Sequence, residues 1–408
     1  MKHLILIHLI MLSASVLSAQ DLRISLQDIE HLSETYSPEW QQFDYQREYQ
    51  SSGESAAATR LNPTLNYDLE FLDTGTGSDR EQFSFIEQTF RTPGHFRNLR
   101  QQRDLRIEEI KQETEAEKAA WMADIRQGFI LVVLAKEELE NLENFYALIE
   151  RFMDAQKRRA AEGETSIIDD QLLRMSGYRL SSLIDERRIE MENRKSAWLS
   201  RMGMDSEDRD FEFSGSFSEL NHTLPGAGEL MTILEQSPGR LANQLALEGA
   251  EQSIGLEESR RWPSFDVRAG YKTLNPNFHG FMVGVSLPIP LLNRNSPSIE
   301  EARALERLQE LRLTSAEMQQ NARMIQALNT IYEYSRKLEG FPGLAGDPEQ
   351  FINALVAAYE EGEQSLSDVL NTLGLIADTN RTRYTQLERT YEQIMILEAL
   401  TGNVILEP

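Results

Sequence analysis

The sequence predicts a mainly α-helical protein with a small β part. Duplicated long-helix hairpins would form an α-barrel, and each chain would contribute four strands to a transmembrane β-barrel shared between copies. Three observations support this fold class. A pattern recurs about 200 residues apart, proline-free stretches exceed the length of a globular helix, and four short segments alternate apolar with polar residues.

Composition restricts the classes of partner. The 408 residues carry a net charge of -25, with 40% hydrophobic and 26% charged residues and no cysteine. The negative charge argues against nucleic acid, whose phosphates need a basic face, and against an anionic lipid surface as the main partner. The lack of cysteine excludes disulfides, Cys-ligated metals and a lipid anchor on an N-terminal cysteine.

Residues 1–19 have the features of a secretory signal peptide. Lys2 supplies a positive start, a mostly apolar run follows from Leu4 to Leu17, and the small Ser18 and Ala19 offer a cleavage point. The alternative is a buried N-terminal helix. No later apolar stretch has the length of a transmembrane helix, so we expect an exported chain that can cross a membrane only with strands.

An internal repeat predicts two similar halves. Glu162–Ser166 recurs as Glu361–Ser365, displaced by 199 residues, and Leu61–Leu65 matches Arg261–Phe265. The landmarks lie at both ends of each half in the same order, which favours a duplication. We therefore divide the mature chain into a first repeat, 20–204, and a second repeat, 205–408.

Each repeat is expected to contain a long helix, a glycine turn and a returning helix. In the first, helix 98–161 would extend about 95 Å at 1.5 Å per residue before the turn at Gly163. Such a length indicates a coiled coil or a barrel wall, although an ordinary bundle stays an alternative. The remaining predicted segments are an opening helix 26–60, a returning helix 166–202, a Gly/Ser/Asp-rich stretch 203–228, a helix to 261, a second long helix from 298 interrupted at 339–347, and a turn at Gly362.

Four segments predict strands, at about 64–72, 82–90, 264–272 and 281–289. In the first, Leu65, Tyr67, Leu69 and Phe71 alternate with polar residues, while the segment around Phe83 and Phe85 is less regular. This period suits a membrane barrel, but also a half-buried strand in a soluble sheet. Four strands cannot close a barrel, and an open edge in lipid leaves backbone groups unsatisfied, so several chains would have to share one.

The chain resembles the TolC-type outer-membrane efflux proteins over nearly its whole mature length. The resemblance depends on the duplicated plan and on two segments, Phe281–Asn293 and Tyr359–Leu370. Phe281–Asn293, together with Thr92–His95 of the first repeat, is most similar to the CzcC-like heavy-metal-cation branch.

This resemblance implies a homotrimer with a 12-stranded barrel in the outer membrane and a periplasmic α-barrel as a tunnel. Such channels act with a periplasmic adaptor protein and an inner-membrane pump, often of the resistance-nodulation-division type. They give drugs, metal cations or other small molecules a passive exit duct. The expected surroundings are therefore outer-membrane lipid around the strands and periplasm around most of the chain.

The resemblance also implies which residues act. In the family the two glycine turns form the adaptor-docking tips, which here are Glu162, Gly163, Glu164, Thr165 and Ser166, and Glu361, Gly362, Glu363, Gln364 and Ser365. Asp368 matches an acidic ring at the tunnel aperture, whereas Asn371 stands where a second acidic residue can occur. The simpler alternatives are turn geometry for the glycines and a favourable helix-start position for Asp368.

Signatures of enzymes are absent from the sequence. It contains no dinucleotide-binding glycine motif, no P-loop, no zinc-protease motif and no nucleophile elbow, and its mature histidines are scattered. We expect no catalytic residue, no cofactor and no metal site. The alternative function is a periplasmic coiled-coil adaptor or scaffold of an export system. An adaptor should show one hairpin and a Gly/Val-rich β-domain, and a secreted structural coiled coil would need neither the duplication nor the alternating strands.

Overall fold

The computed structural model describes residues 22–73, 75, 78–91, 94–161, 166–204, 211–218, 224–274, 278–340 and 348–406. The predicted signal segment 1–19 and four predicted tip residues, Glu162–Thr165, lie outside the described residues.

Nine helices longer than one turn lie in the described part of the chain. They are α1 Ile29–Tyr36, α2 Pro38–Ala57, α3 His95–Ala161, α4 Ile167–Arg201, α5 Ala227–Glu235, α6 Pro238–Ser259, α7 Ser296–Glu339, α8 Pro348–Glu360 and α9 Leu366–Thr401. At 67 residues, α3 matches the predicted long helix. α7 ends at Glu339 and α8 begins at Pro348, and most of the predicted interruption, residues 341–347, lies outside the described residues. Within the described residues, no helix combines the length and hydropathy needed to cross a membrane.

The predicted single opening helix 26–60 is wrong. A short 3-10 turn precedes α1, and the chain then leaves the helical conformation at Ser37 (φ -78°, ψ 118°) before α2 starts at Pro38. A residue before proline is driven toward extended backbone by the proline ring, which accounts for the break. The predicted helix ending at 261 is likewise divided, into α5 and α6, at the Ser237–Pro238 step.

Six strands form two sheets within the described residues. The larger is antiparallel in the order β2-β3-β5-β6, with β2 Thr64–Asp73, β3 Ser78–Phe90, β5 Phe265–Leu274 and β6 Phe278–Ser286. The smaller pairs β1 Leu22–Ile24 in parallel with β4 Phe211–Phe213. This second sheet was not predicted, since three-residue strands show no periodicity that distinguishes them from a loop.

The chain divides into two compact units. The first comprises residues 1–42, 117–233 and 322–408, and the second comprises 43–116 and 234–321. Each unit thus combines segments from both repeats. Both α3 and α7 have residues in each unit.

The first unit has an extended apolar core. One cluster packs α3 against α4 and α9 through Leu142, Phe145, Leu180, Val369 and Leu373. A second, aromatic cluster surrounds Phe129, whose ring lies 5.4 Å from Phe213, 6.0 Å from Trp198 and 6.5 Å from Phe217. Leu142 and Phe145 lie three residues apart, and Val369 and Leu373 lie four apart, so each pair is on one face of its helix.

A buried ion pair joins α3 to α9 in the first unit. Arg126 Nε lies 2.9 Å from Glu398 Oε2, and the two side chains are 9% and 4% exposed. The other carboxylate oxygen accepts hydrogen bonds from the Ile405 and Leu406 N–H groups at 2.9 and 2.8 Å. The almost fully buried Glu398 carboxylate therefore holds the segment that follows α9.

Polar contacts join the helices of the second unit. Asn98 donates to the Gly255 carbonyl at 2.9 Å, which joins α3 to α6. On α6, Arg240 donates through Nε to Gln320 of α7 at 3.1 Å. Exposed apolar side chains of this unit lie on its sheet and on α2 and α7.

Candidate functional site

The four-stranded sheet has one strongly apolar face. Directly opposed residues of an antiparallel pair share a face, so the register places Leu65 with Ile86, Ala269 with Val283, and Tyr271 with Phe281 on the same side. These side chains are uncovered, and Phe281 is 91% exposed. Other exposed members of the face are Tyr67, Leu69, Phe71, Phe90 and Val285.

The opposite face carries paired charges. Lys272 pairs with Glu81, and its Nζ lies 4.3 Å from the centre of the Phe83 ring. Arg268 lies 3.8 Å from Glu87, and its guanidinium carbon is 5.9 Å from the Phe85 ring centre. This contact explains the irregular alternation of β3. Phe83 and Phe85 lie on the polar face, next to the basic side chains of Lys272 and Arg268.

Gly270 allows the polar face to pack. A Cβ at this position would lie 2.4 Å from the Phe85 Cβ and 2.3 Å from the Ser84 carbonyl oxygen. Any side chain larger than hydrogen would separate β5 from β3, so the glycine maintains the pairing of the two central strands.

A buried histidine lies where β3 passes into α3. His95 is 2% exposed, and its Nε2 lies 2.8 Å from Arg91 Nη1. Burial, followed by the nearby Arg91 and Arg260, lowers the pKa of His95 below its usual value. The ring is therefore neutral and accepts the arginine's hydrogen bond.

The second predicted tip is a tight turn between α8 and α9. Gly362 adopts a left-handed conformation (φ 79°), and the N–H groups of Glu363 and Gln364 donate to the Ala358 carbonyl at 2.8 and 3.2 Å. Glycine is favoured at such a position because it has no Cβ. All five predicted tip residues, Glu361–Ser365, are exposed.

Asp368 lies in the first turn of α9, where it forms a capping box. Its carboxylate accepts from Ser365 Oγ at 2.6 Å, and the Ser365 oxygen accepts from the Asp368 N–H at 3.2 Å. The arrangement satisfies free N–H groups at the helix start. Asp368 thus has a structural contact and remains exposed to solvent.

The first tip is described only at Ser166. Its hydroxyl caps α4 by accepting from the Ile168 N–H at 3.1 Å. Ser166 and Ser365 are equivalent in the 199-residue register and both cap a returning helix, which supports the repeat alignment at this point.

Ion pairs link three helices of the first unit. The buried Glu138 of α3 lies 3.5 Å from Arg187 of α4, and Arg194 of α4 bridges Glu190 of the same helix and Glu388 of α9 at 2.7 and 2.6 Å. Burial raises the pKa of Glu138, and Arg187 offsets part of that rise. Sequence analysis did not find these pairs, because an acidic chain offers many carboxylates without indicating which are buried.

A groove of about 310 Å³ lies between α3, α4 and α9 in the first unit. Phe145, Leu180 and Leu373 form its apolar base, and charged residues form the rim. Across that rim Arg179 lies 4.0 Å from Asp378. Among the described residues, no group of three or more His, Asp or Glu side chains is arranged to hold a metal ion.

Comparison with known proteins gives a sequence relative and several structural ones. No family model matches the chain. The cobalt-zinc-cadmium resistance protein CzcC of Cupriavidus metallidurans is 24% identical over 284 residues, which are 69% of this chain and 67% of CzcC. The structure of CusC matches with a TM-score of 0.76 at 16% identity, covering 92% of this chain and 91% of CusC. The Campylobacter jejuni outer membrane channel CmeC matches with a TM-score of 0.74 at 13% identity, covering 92% and 85%.

The structural matches confirm the predicted fold class of long-helix hairpins with a small β part. The sequence relation to CzcC is in agreement with the fold. In fold the chain is similar to CusC and to the outer membrane channel CmeC, and in sequence it is similar to CzcC.

Proposed function

We propose that this chain is the outer-membrane channel subunit of a tripartite efflux system. Three copies would enclose a passive exit duct from the periplasm to the outside, with most of each chain in the periplasm. The observation that carries the proposal is the amphipathic four-stranded sheet, whose apolar face is exposed while its opposite face carries charged residues, among them the Lys272–Glu81 and Arg268–Glu87 pairs. Such an exposed apolar face is stable when it contacts the lipid chains of a membrane.

The free edges of the sheet support assembly from several copies. In the described structure β2 and β6 each pair on one side only. An unpaired edge in lipid costs several kcal/mol per backbone group, so the strands need closure. Because the sheet has four antiparallel strands, β6 of one copy can pair with β2 of the next in the antiparallel sense, and three copies would supply twelve strands.

The helices next to these edges carry exposed apolar side chains. Tyr45 and Tyr49 of α2, which leads into β2, are 70% and 81% exposed. Leu311 and Met318 of α7, which leaves β6, are 69% and 68% exposed and lie seven residues apart. We propose that α7 of one copy packs against α2 of the next, since seven-residue spacing is typical of helix–helix seams.

The cargo we propose is metal cations or other small molecules. CzcC is a cobalt-zinc-cadmium resistance protein, and its sequence relation to this chain supports metal cations as one class. The channel itself would supply passage alone. Energy would come from an inner-membrane pump of the resistance-nodulation-division type acting through a periplasmic adaptor.

The adaptor would dock on the two tips, Glu162–Ser166 and Glu361–Ser365. Exposure of the second tip and its rigid, capped geometry support this role. We further propose that Asp368 lines the aperture, where three carboxylates would attract cations. Asp368→Asn, which keeps the size of the side chain, should lower the cation selectivity of single channels in planar bilayers, and an unchanged selectivity would remove Asp368 from the aperture.

The absence of cysteine makes the assembly directly testable. Cysteine pairs placed on the two edge strands, one at Leu65 or Tyr67 of β2 and one at Val283 or Val285 of β6, should give disulfide-linked dimers and trimers in outer membranes, and no larger species. Each single-cysteine variant is the matched control and should give no trimer. Cross-linking within one chain, or none with any pair, would contradict a ring of three copies.

The alternative, a periplasmic adaptor or scaffold, is distinguished by the same material. An adaptor would remain in the soluble periplasmic fraction, and its edge-strand cysteines would not cross-link in membranes.

A further inference from the structure

Five arginines lie in the four segments that connect the large sheet to its helices. These junctions are 58–63, 91–94, 260–264 and 287–295, which contain Arg60, Arg91, Arg260, Arg261 and Arg294. None of the four segments contains Asp or Glu, although acidic residues outnumber basic ones by 66 to 41 in the whole chain. We call these five residues the arginine collar.

The strand register brings the collar to one end of the sheet. Thr64, the first residue of β2, pairs with Glu87 near the end of β3. Phe90, the last residue of β3, pairs with Phe265, the first of β5, and the neighbouring Asp266 pairs with Ser286, the last of β6. All four junctions therefore leave the same end, where the helices begin or finish.

Exposed apolar side chains accompany the collar. Trp262 is 73% exposed, and Leu291 and Leu292 are 80% and 103% exposed. Phe90 and Phe265 stack with their ring centres 5.5 Å apart at the same end. Aromatic and apolar groups next to cations are typical of the boundary between lipid chains and headgroups.

Three members of the collar are available to a ligand. Arg60, Arg261 and Arg294 are exposed, and within the described residues none of them has an acidic partner at ion-pair distance. Arg91 holds His95 and Arg260 pairs with Glu257, whereas Arg60 is exposed with its guanidinium carbon 5.5 Å from the Phe96 ring centre. The opposite half of the sheet lacks this enrichment, because Asp68, Glu70, Asp73, Asp79 and Glu81 outnumber Arg80 and Lys272 there.

We propose that Arg60, Arg261 and Arg294 bind the phosphate groups of anionic lipids in the membrane leaflet nearest the helices. A guanidinium presents paired N–H donors that match phosphate oxygens, and it tolerates partial burial better than an ammonium. The collar would thereby fix how deeply the sheet sits in the membrane. The proposal depends on the proposed function, since it requires the sheet to lie in a bilayer. A net charge of -25 therefore does not exclude anionic lipid as a partner, because the chain carries a local basic surface.

Lipid retention tests the proposal. The full-length protein is reconstituted into phosphatidylcholine vesicles containing a minor fraction of phosphatidylglycerol and extracted again in mild detergent. Mass spectrometry then gives the ratio of the two lipids bound. The native protein should enrich phosphatidylglycerol over the vesicle composition, and Arg60→Gln/Arg261→Gln/Arg294→Gln should reduce the enrichment at least tenfold, since each arginine near a headgroup contributes about fivefold. High salt should weaken the enrichment.

Two further variants separate charge from folding. Arg307→Gln/Arg312→Gln/Arg323→Gln removes three exposed arginines of α7 and should retain the enrichment. Arg60→Lys/Arg261→Lys/Arg294→Lys keeps the charge and should retain most of it. No enrichment by native protein that is inserted, or equal loss in the α7 variant, would overturn the collar while leaving the channel intact. Failure of the native protein to enter vesicles at all would instead contradict the proposed function.

Discussion

Aromatic side chains have opposite surroundings in two regions of the molecule, the cluster around Phe129 and the four-stranded sheet. Phe129 of the first unit is fully buried within an aromatic cluster, whereas Phe281 of the second is 91% exposed on a sheet. The first region buries its aromatic side chains internally, as the core of a soluble protein does. The second presents them outward, which indicates an apolar surrounding that the single chain does not supply. Substitutions in the two regions should therefore separate the stability of the folded chain from its stability in a membrane.

Removal of the buried charge in the first unit should have the largest effect. Glu398→Ala leaves Arg126 unpaired at 9% exposure and frees two backbone N–H groups, so we expect a loss of about 3–5 kcal/mol in the free energy of unfolding. Denaturant unfolding in detergent measures it. Glu143→Ala, which removes an exposed pair with Arg188, is the control and should change stability little. Similar stability of the two variants would show that the Arg126 pair contributes nothing.

A charge on the apolar face of the second unit should affect membrane assembly instead. Val283→Lys places an ammonium near the middle of β6, where Val283 is 76% exposed, at a cost of about 2–4 kcal/mol if the residue faces the lipid midplane. Assembly into outer membranes, followed by heat-modifiable migration in gels, measures the loss. Met282→Lys, on the opposite face of the same strand, should assemble normally. Equal assembly of both variants would mean that the faces are assigned wrongly.

Acid should weaken the second unit through His95. Its pKa is lowered in the folded protein, so its contribution is present above pH 6.5 and is lost as pH falls through the lowered value. His95→Gln keeps an acceptor for Arg91 but cannot titrate, so its thermal midpoint should fall less than that of the native protein on acidification. His31→Gln alters an exposed histidine and should behave as native. An unchanged pH profile in the His95 variant would contradict the neutral, buried ring.

The first unit should respond in the opposite sense through Glu138. Its pKa is raised, so its contribution is fully present in acid and is lost as pH rises through the raised value. Glu138→Gln should therefore match native stability in acid and equal or exceed it at neutral pH. Glu140→Gln, on the exposed side of the same helix, provides the comparison. A variant less stable than native at neutral pH would show that pairing with Arg187 outweighs burial.

Long periodic elements could be predicted from the sequence, whereas short ones could not. The 67-residue α3 follows from an unbroken helical pattern without proline, and alternation identified β2, β5 and β6. The β1–β4 pair was missed, because three residues cannot establish a period. The break at Ser37 was missed as well. Proline is compatible with the first turn of a helix, and its presence alone does not show where the preceding helix ends.

The candidate site shows the same division. The turn at Gly362 and the cap at Ser365 follow from local chemistry that sequence displays. The collar depends on strand register, which brings four distant junctions to one end of the sheet. Buried pairs such as Arg126–Glu398 depend on contacts across 272 residues, and sequence alone does not indicate which charges meet.

The central claim is most directly tested by electron microscopy of the full-length protein extracted from outer membranes in mild detergent. The account predicts three copies around a hollow lumen, with a detergent belt confined to the end that carries the strands. A particle without a belt or lumen, containing a single chain, would contradict the channel and favour a periplasmic scaffold.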